Sequence, residues 1–301
     1  MQPSELARMP SESSIGHPED GGPKRLEKHD LTYGSYLRVS TLLEQQHLLS
    51  DPPEHDELLF IIIHQTYELW FKQILHELEA AVRALEAGEA LPAHLYVRRV
   101  VKIMGVLVQQ IHLLETMATV EFLAFRDRIN PASGFQSVQF REIEFLGGLK
   151  NSRYLEVFKN QPEDYERLRR RLEGTDLRQG FYALLHAQGF EVPEHVHALS
   201  QAEEFPEEKA ACLAALHVLY QHPQRNLPLF LLAESLLDFD EALVQWRQHH
   251  VLMVERVIGT RAGTGGSAGV KYLESTASKR CFPYLWEAKT YLRKETRFPP
   301  G

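Results

Sequence analysis

Long helical stretches with continuous apolar faces constrain the fold of this chain more than any other feature. Residues 56–87, 92–117 and 229–258 place apolar side chains at helical spacing, and Gly88 follows the first stretch where helices commonly end. No stretch alternates apolar and polar residues long enough for a strand, and the sequence contains no internal repeat. The pattern predicts an all-α protein whose helices bury their apolar faces against one another.

The rest of the chain divides into a leader and one helical domain. Residues 1–29 are rich in Pro, Gly, Ser and charge and lack an apolar period, so we predict a disordered leader. Asp30 is a favourable N-cap for a helix that is predicted to reach about residue 46. Because the apolar faces of the later helices interlock, residues 30–301 are predicted to form a single domain.

Composition excludes several classes of protein. Lys and Arg number 33 against 41 Asp and Glu, and this net charge of −8 disfavours nucleic-acid binding, which needs clustered positive charge. The two cysteines, Cys212 and Cys281, form no CxxC motif for zinc or covalent haem and suit a reducing compartment. The apolar run 58–63 is far shorter than the roughly 18 residues of a membrane span, and residues 1–29 lack the apolar core of a secretory signal. We therefore expect a cytoplasmic protein without a membrane segment.

His64 closes the apolar run in the buried part of the first long helix. Phe60 lies one turn before it and Glu68 one turn after it, so all three share a face. A core histidine bonded to Glu68 or to a backbone carbonyl fits this spacing, and so does a functional histidine.

The adjacent histidines His249 and His250 differ in the faces they occupy, because neighbouring helical residues point about 100° apart. His250 continues the apolar stripe that contains Trp246 and Met253, whereas His249 aligns with Gln245 on a more polar face. A neutral imidazole in an apolar slot is typical of a haem iron ligand, and a core histidine is the alternative.

Two further features suit an anionic ligand. Residues 263–269 read GTGGSAG, a glycine-rich loop whose N–H groups and Thr264 hydroxyl could bind a carboxylate; a flexible linker fits the composition equally well. A helix rather than a strand precedes this loop, which argues against a dinucleotide-binding fingerprint. Arg126 lies among aromatic residues and could clamp a carboxylate with its planar guanidinium, with a structural ion pair as the alternative.

Taken together, these motifs resemble those of the tryptophan 2,3-dioxygenases. The resemblance extends from residue 31 to residue 269. Two features depart from the family pattern: Ala268 replaces a serine, and the doubled histidine His249-His250 is atypical. The matching stretches are LTYGSYL (31–37), HDELLFIIIHQTYELWFKQILHEL (55–78), FRDRINPASGFQSVQFR (125–141), WRQHHVLMVERVIG (246–259) and GTGGSAG (263–269). The resemblance implies a helical-bundle haem domain of the tryptophan/indoleamine dioxygenase type. It also implies an enzyme that uses haem b with ferrous iron and O2 to open the indole 2,3-bond of L-tryptophan, giving N-formylkynurenine.

Position by position, the resemblance implies roles around the haem. His250 would be the proximal ligand of the haem iron, and Ser133 and Gly134 would line the pocket beside the haem. His64 would be the distal histidine near the indole nitrogen, and Phe60 would form a wall for the indole.

The resemblance also implies how the substrate is held and how subunits assemble. Arg126 would pair with the carboxylate of tryptophan, and Thr264 would hold its amino-acid end. Tyr33 and Tyr36 would reach the pocket of a neighbouring subunit in a homotetramer. A helical haem-binding sensor or carrier without turnover is the alternative, and a helical interaction protein without cofactor is a third class.

Overall fold

A computed structural model describes residues 31–193, 195–196, 205–261, 263 and 269–292. These residues form α-helices joined by turns, including the 3₁₀ turns Gly134–Gln136 and Ser152–Tyr154, and contain no strand, which confirms the predicted all-α class. The helices are α1 Tyr33–Leu37, α2 Val39–Leu43, α3 His55–Glu86, α4 Ala90–Leu114, α5 Thr119–Ile129, α6 Val138–Leu146, α7 Leu155–Phe158, α8 Pro162–Glu173, α9 Leu177–Ala187, α10 Pro206–Gln221, α11 Leu227–Ile258, α12 Val270–Ala277 and α13 Pro283–Tyr291.

The chain divides into two compact units, residues 1–47 and 48–301. In the first unit, the helix predicted to reach residue 46 is instead two short helices, because Arg38 adopts a left-handed conformation (φ 53°, ψ 43°) between α1 and α2. Thr32 caps α1 by accepting the Ser35 N–H at 3.1 Å, whereas the predicted cap, Asp30, lies outside the described residues. Neither short helix has a buried residue, so no core contact favours one continuous helix. The single domain over residues 30–301 stays a prediction.

Three long helices form the core of the second unit. Helices α3 and α11 have 32 residues each, and α4 has 25 residues and packs against both of them. Their bounds lie within three residues of the predicted ones, since the apolar period and the flanking breakers mark the ends. The Tyr67 hydroxyl donates to the Leu107 carbonyl at 2.7 Å, which ties α3 to α4 inside the core.

A bend after α4 carries α5 back onto the bundle. The two helices meet at 105°, and α5 packs against α3 and α11. This bend brings the aromatic face of α5 to the end of the bundle where α3 begins. None of the described helices has by itself both the length and the apolar composition of a membrane span, and one sharply bent pair, α4 with α5, meets these criteria jointly.

The buried carboxylate of Asp240 joins α11 to the start of α13. Asp240 is fully buried and accepts the backbone N–H groups of Cys281 and Phe282 at 2.7 and 3.1 Å. The indole N–H of Trp286 donates to the same carboxylate at 3.0 Å. A buried charge is stable only when such partners surround it, so Asp240 fixes where the chain returns to the core after α12.

Asp240→Ala is expected to lower the free energy of unfolding by about 3 kcal/mol or more, because two buried donors and one half-buried donor lose a charged acceptor. Urea denaturation followed by circular dichroism measures the loss. Glu241→Ala is the matched control, since Glu241 is exposed and accepts a hydrogen bond from Gln245 one turn later on the same helix. Equal stability of the two variants would contradict the role given to Asp240.

Candidate functional site

The second unit contains an apolar cavity bounded by α3, the end of α4, α5, α6, α11 and α12. Aromatic and aliphatic side chains make up most of its lining, with a small number of polar groups among them. Six of the residues singled out in the sequence come together here: Phe60, His64, Arg126, Ser133, Gly134 and His250.

The other three candidates do not belong to the described cavity. Tyr33 and Tyr36 lie on α1 in the first unit, where 79% and 72% of each residue is exposed. Thr264 lies outside the described residues, although Gly263 and Gly269 on either side of its segment line the cavity.

His250 faces the cavity from α11, in agreement with the apolar stripe that separates it from His249. Its ring stacks on Trp246 one turn earlier, with centroids 5.2 Å apart and planes 5° from parallel. No hydrogen bond from the described residues reaches either ring nitrogen. Burial, with a smaller contribution from His64, lowers the pKa of His250 from 6.5 to about 4. The imidazole is therefore neutral near pH 7 and keeps a nitrogen lone pair for a ligand.

His64 faces the same cavity from α3 with a defined tautomer. Its Nδ1 lies 2.7 Å from the carbonyl oxygen of Phe60, and a carbonyl only accepts, so Nδ1 carries the proton and Nε2 carries the lone pair. Burial lowers the pKa of His64, because it outweighs the Phe60 hydrogen bond and the charge of Glu68. Glu68 bonds to the Gln139 amide at 2.7 Å. The sequence allowed His64 to bond either to Glu68 or to a backbone carbonyl, and in the structure it bonds to the backbone carbonyl of Phe60.

An aromatic cluster forms the wall next to His64. The Phe60 ring lies 4.1 Å from the His64 ring and 5.7 and 5.6 Å from the rings of Phe122 and Phe125. Arg126 follows on α5 and lines the cavity beside this cluster. A flat apolar wall next to a guanidinium suits a ligand that joins an aromatic body to an anionic group.

The 3₁₀ turn between α5 and α6 presents small residues to the cavity. The Ser133 side chain accepts the Phe135 N–H at 3.3 Å and so caps the turn. A Cβ added to Gly134 would meet no atom within 4 Å, so this side of the turn is open. A bulky ligand can therefore approach the backbone closely there.

Three charged residues that line the cavity were not predicted from the sequence. Arg141, Glu144 and Arg247 are 6%, 5% and 4% exposed, and Glu144 accepts a 2.6 Å hydrogen bond from each arginine. Arg141 and Glu144 lie one turn apart on α6, and Arg247 lies one turn before His250, so this spacing was an available signal.

A wider groove of about 1020 Å³ runs along α3, α6 and α8. Its charges largely pair with one another: Glu142 accepts hydrogen bonds from Arg167 and Arg171, and Arg171 also bonds to Glu79. The groove is open to solvent and has no Phe, Tyr or Trp among its described lining residues. The apolar cavity is therefore the better candidate for an aromatic ligand or a flat cofactor.

Comparison with known proteins assigns the chain to a family. The profile of the tryptophan 2,3-dioxygenase family matches residues 17–194 and 186–292. The tryptophan 2,3-dioxygenase of Nocardioides sp. is 50% identical over 268 residues, covering 87% of this chain and 95% of the relative. Those of Caulobacter vibrioides and Bacillus anthracis are 44% and 41% identical over 266 residues, covering 87% and 88% of this chain and 99% and 94% of the relatives. The chain therefore belongs to the tryptophan 2,3-dioxygenase family.

Proposed function

We propose that this chain is a haem-dependent tryptophan 2,3-dioxygenase. It would insert both atoms of O2 across the indole 2,3-bond of L-tryptophan and so give N-formylkynurenine, the first step of tryptophan degradation by the kynurenine pathway. The observation that carries the proposal is a neutral histidine, His250, in an apolar cavity that also holds His64 and Arg126. The relatives that share 40–50% of its residues bear this name.

Haem b fits the groups present in the cavity. His250 would bind the iron through the lone pair that neutrality leaves it, and stacking on Trp246 holds the ring in one orientation. The open side of the turn at Ser133 and Gly134 would face the flat ring of the cofactor. When bound, haem supplies the ferrous iron at which O2 becomes reactive, and the protein supplies orientation and a dry environment.

The remaining groups would position the substrate. Arg126 would pair with the carboxylate through its planar fork, and Phe60 would pack against the indole. Thr264, which the sequence places between Gly263 and Gly269, would hold the amino-acid end. Fixing both ends of tryptophan would align its 2,3-bond for reaction.

His64 is the proposed catalytic residue on the α3 side. Because Nδ1 donates to the Phe60 carbonyl, Nε2 would accept a hydrogen bond from the indole N–H. Oxygen addition to an electron-rich ring needs no prior removal of that proton, so His64 would hold the indole rather than deprotonate it.

Assembly as a homotetramer is part of the proposal. Tyr33 and Tyr36 are the most exposed of the aromatic site residues predicted from the sequence. This exposure leaves both rings available to the pocket of a neighbouring subunit. A cytoplasmic location also remains part of the proposal and rests on the cysteine usage.

Turnover by the haem-loaded, ferrous protein tests the function. L-Tryptophan is added in air, and N-formylkynurenine is followed by near-ultraviolet absorbance and mass spectrometry; we expect product. His250→Ala is the companion variant, which is expected to lose the Soret band of a histidine-bound haem. A normal histidine-type spectrum in that variant would exclude His250 as ligand. A good Soret band without product would favour the haem-binding sensor or carrier instead.

Arg126→Lys keeps the charge but loses the planar fork, so the KM for L-tryptophan is expected to rise about tenfold or more at a similar Soret intensity. Arg128→Lys is the matched control, because Arg128 is exposed on the same helix and its guanidinium contacts the Asp51 carbonyl at 3.4 Å. Unchanged steady-state kinetics for Arg126→Lys would show that this residue does not clamp the carboxylate.

His64→Ala is expected to lower kcat/KM about tenfold while leaving haem uptake intact, because it removes one hydrogen bond to the substrate and no iron ligand. Titration of the protein with haem, followed by the Soret band, separates the two effects. His76→Ala on the exposed face of α3 is the control. Loss of haem from His64→Ala would mean that the roles of His64 and His250 are reversed.

A further inference from the structure

Helix α12 forms one wall of the cavity but has little burial of its own. Tyr272, Leu273 and Thr276 line the cavity, and Val270 is the only buried residue of this eight-residue helix. A helix this short is unstable by itself in water and keeps its position only through contacts with its surroundings. Helix α12 packs along α11, and polar contacts at its two ends add further ties to the cavity wall.

One set of contacts reaches the end of α12 through Arg247. The Nη1 group of Arg247 donates to the carbonyl of Lys279, just after the helix, at 3.1 Å. Its Nη2 group donates to Glu144 at 2.6 Å. Glu144 thereby connects α6 with α11 and with the chain that leaves α12.

A second set of contacts reaches the first turn of α12 through Arg141. Arg141 donates to the other carboxylate oxygen of Glu144 at 2.6 Å, and its guanidinium lies 4.3 Å above the ring of Tyr154. The Tyr154 hydroxyl is hydrogen-bonded to the Tyr272 hydroxyl at 2.7 Å. The two sets of contacts thus meet at one carboxylate, with Glu144 at the centre.

The charges of this network depend on one another. Burial alone would raise the pKa of Glu144, but the charges and hydrogen bonds of Arg141 and Arg247 outweigh burial and hold that pKa below its usual value. Glu144 is therefore ionised and partly compensates two buried guanidiniums. Without its negative charge, neither arginine keeps a charged partner among the residues that the structure describes.

We propose that Glu144 is a positioning residue that holds α12 as the wall of the substrate cavity, through Arg247 at one end and through Arg141, Tyr154 and Tyr272 at the other. Its effect on tryptophan binding rests on the function proposed above, whereas its effect on the position of α12 does not. No step of the reaction passes through Glu144.

Hydrogen–deuterium exchange of the haem-loaded protein tests the network. In Glu144→Gln, amides of residues 270–277 are expected to exchange about fivefold or more faster than in the unsubstituted protein, while those of α3 are unchanged. Glu142→Gln is the matched control, because Glu142 is equally buried on the same helix but pairs with Arg167 and Arg171 on α8. Unchanged exchange in Glu144→Gln, or equal acceleration in both variants, would overturn the proposal.

Two tyrosine variants test the same network if Glu144→Gln fails to fold. Tyr154→Phe and Tyr272→Phe each remove one hydroxyl of the same hydrogen bond, so each is expected to speed exchange in α12, and the double variant is expected to add little further. Fully additive effects, or no effect in either variant, would show that this hydrogen bond does not hold α12.

Steady-state kinetics test whether the position of α12 affects the binding of L-tryptophan. Glu144→Gln and Tyr272→Phe are expected to raise the KM for L-tryptophan about fivefold, with kcat per bound haem nearly unchanged, because a displaced wall weakens substrate and transition state alike. A fall in kcat at constant KM would exclude this positioning role. If the protein makes no N-formylkynurenine but α12 exchange still responds, the network stands and the proposed function fails.

Discussion

The candidate site depends on burial of the side chains that α3 and α11 direct into the cavity, because burial excludes water from them. The long helices are stable only with their apolar faces packed together, so a charged group left inside is costly unless it becomes neutral or finds a partner. His64 and His250 are neutral because burial lowers both of their pKa values. Glu144 and its two arginines are instead paired, within hydrogen-bond distance of one another. Burial therefore keeps a nitrogen of His250 available for a ligand. It also makes the ion pairs of Glu144 with Arg141 and Arg247 sensitive to any loss of charge.

Buried carboxylates act as ties between elements of this fold. Glu142 and Glu144 are two residues apart on α6 and so face different sides: Glu142 bonds to arginines of α8, and Glu144 bonds to Arg247 of α11. Asp240 is held by N–H donors from the chain that enters α13. Each carboxylate requires partners from another element, so each fixes one point at which two elements meet. Apolar contacts hold the helices together, and breaking one of these ties would leave an uncompensated buried charge.

Local patterns in the sequence predict part of this arrangement. The bounds of α3, α4 and α11 follow from apolar period and flanking breakers, and the 100° spacing of helical residues identifies His250 rather than His249 as the inward histidine. The break at Arg38 has no such signal, because a left-handed arginine is rare and its neighbours are ordinary helix residues. Local patterns also cannot predict contacts between residues that are far apart in the sequence. Glu144 and Arg247 are 103 residues apart, and Tyr154 and Tyr272 are 118 residues apart.

The hydrogen bond from His64 to the carbonyl one turn earlier also bears on selectivity. A peptide carbonyl cannot become a donor, so the helix backbone fixes which imidazole nitrogen is left as an acceptor. If the indole lies against Phe60 as proposed, a ring with sulfur or oxygen in place of the indole N–H would match its shape but leave this acceptor without a donor. Sites of this kind discriminate strongly against analogues that lack the donor, because a buried polar group is then left unpaired. The main chain of α3, rather than an additional side chain, would thus distinguish an indole from its isosteres.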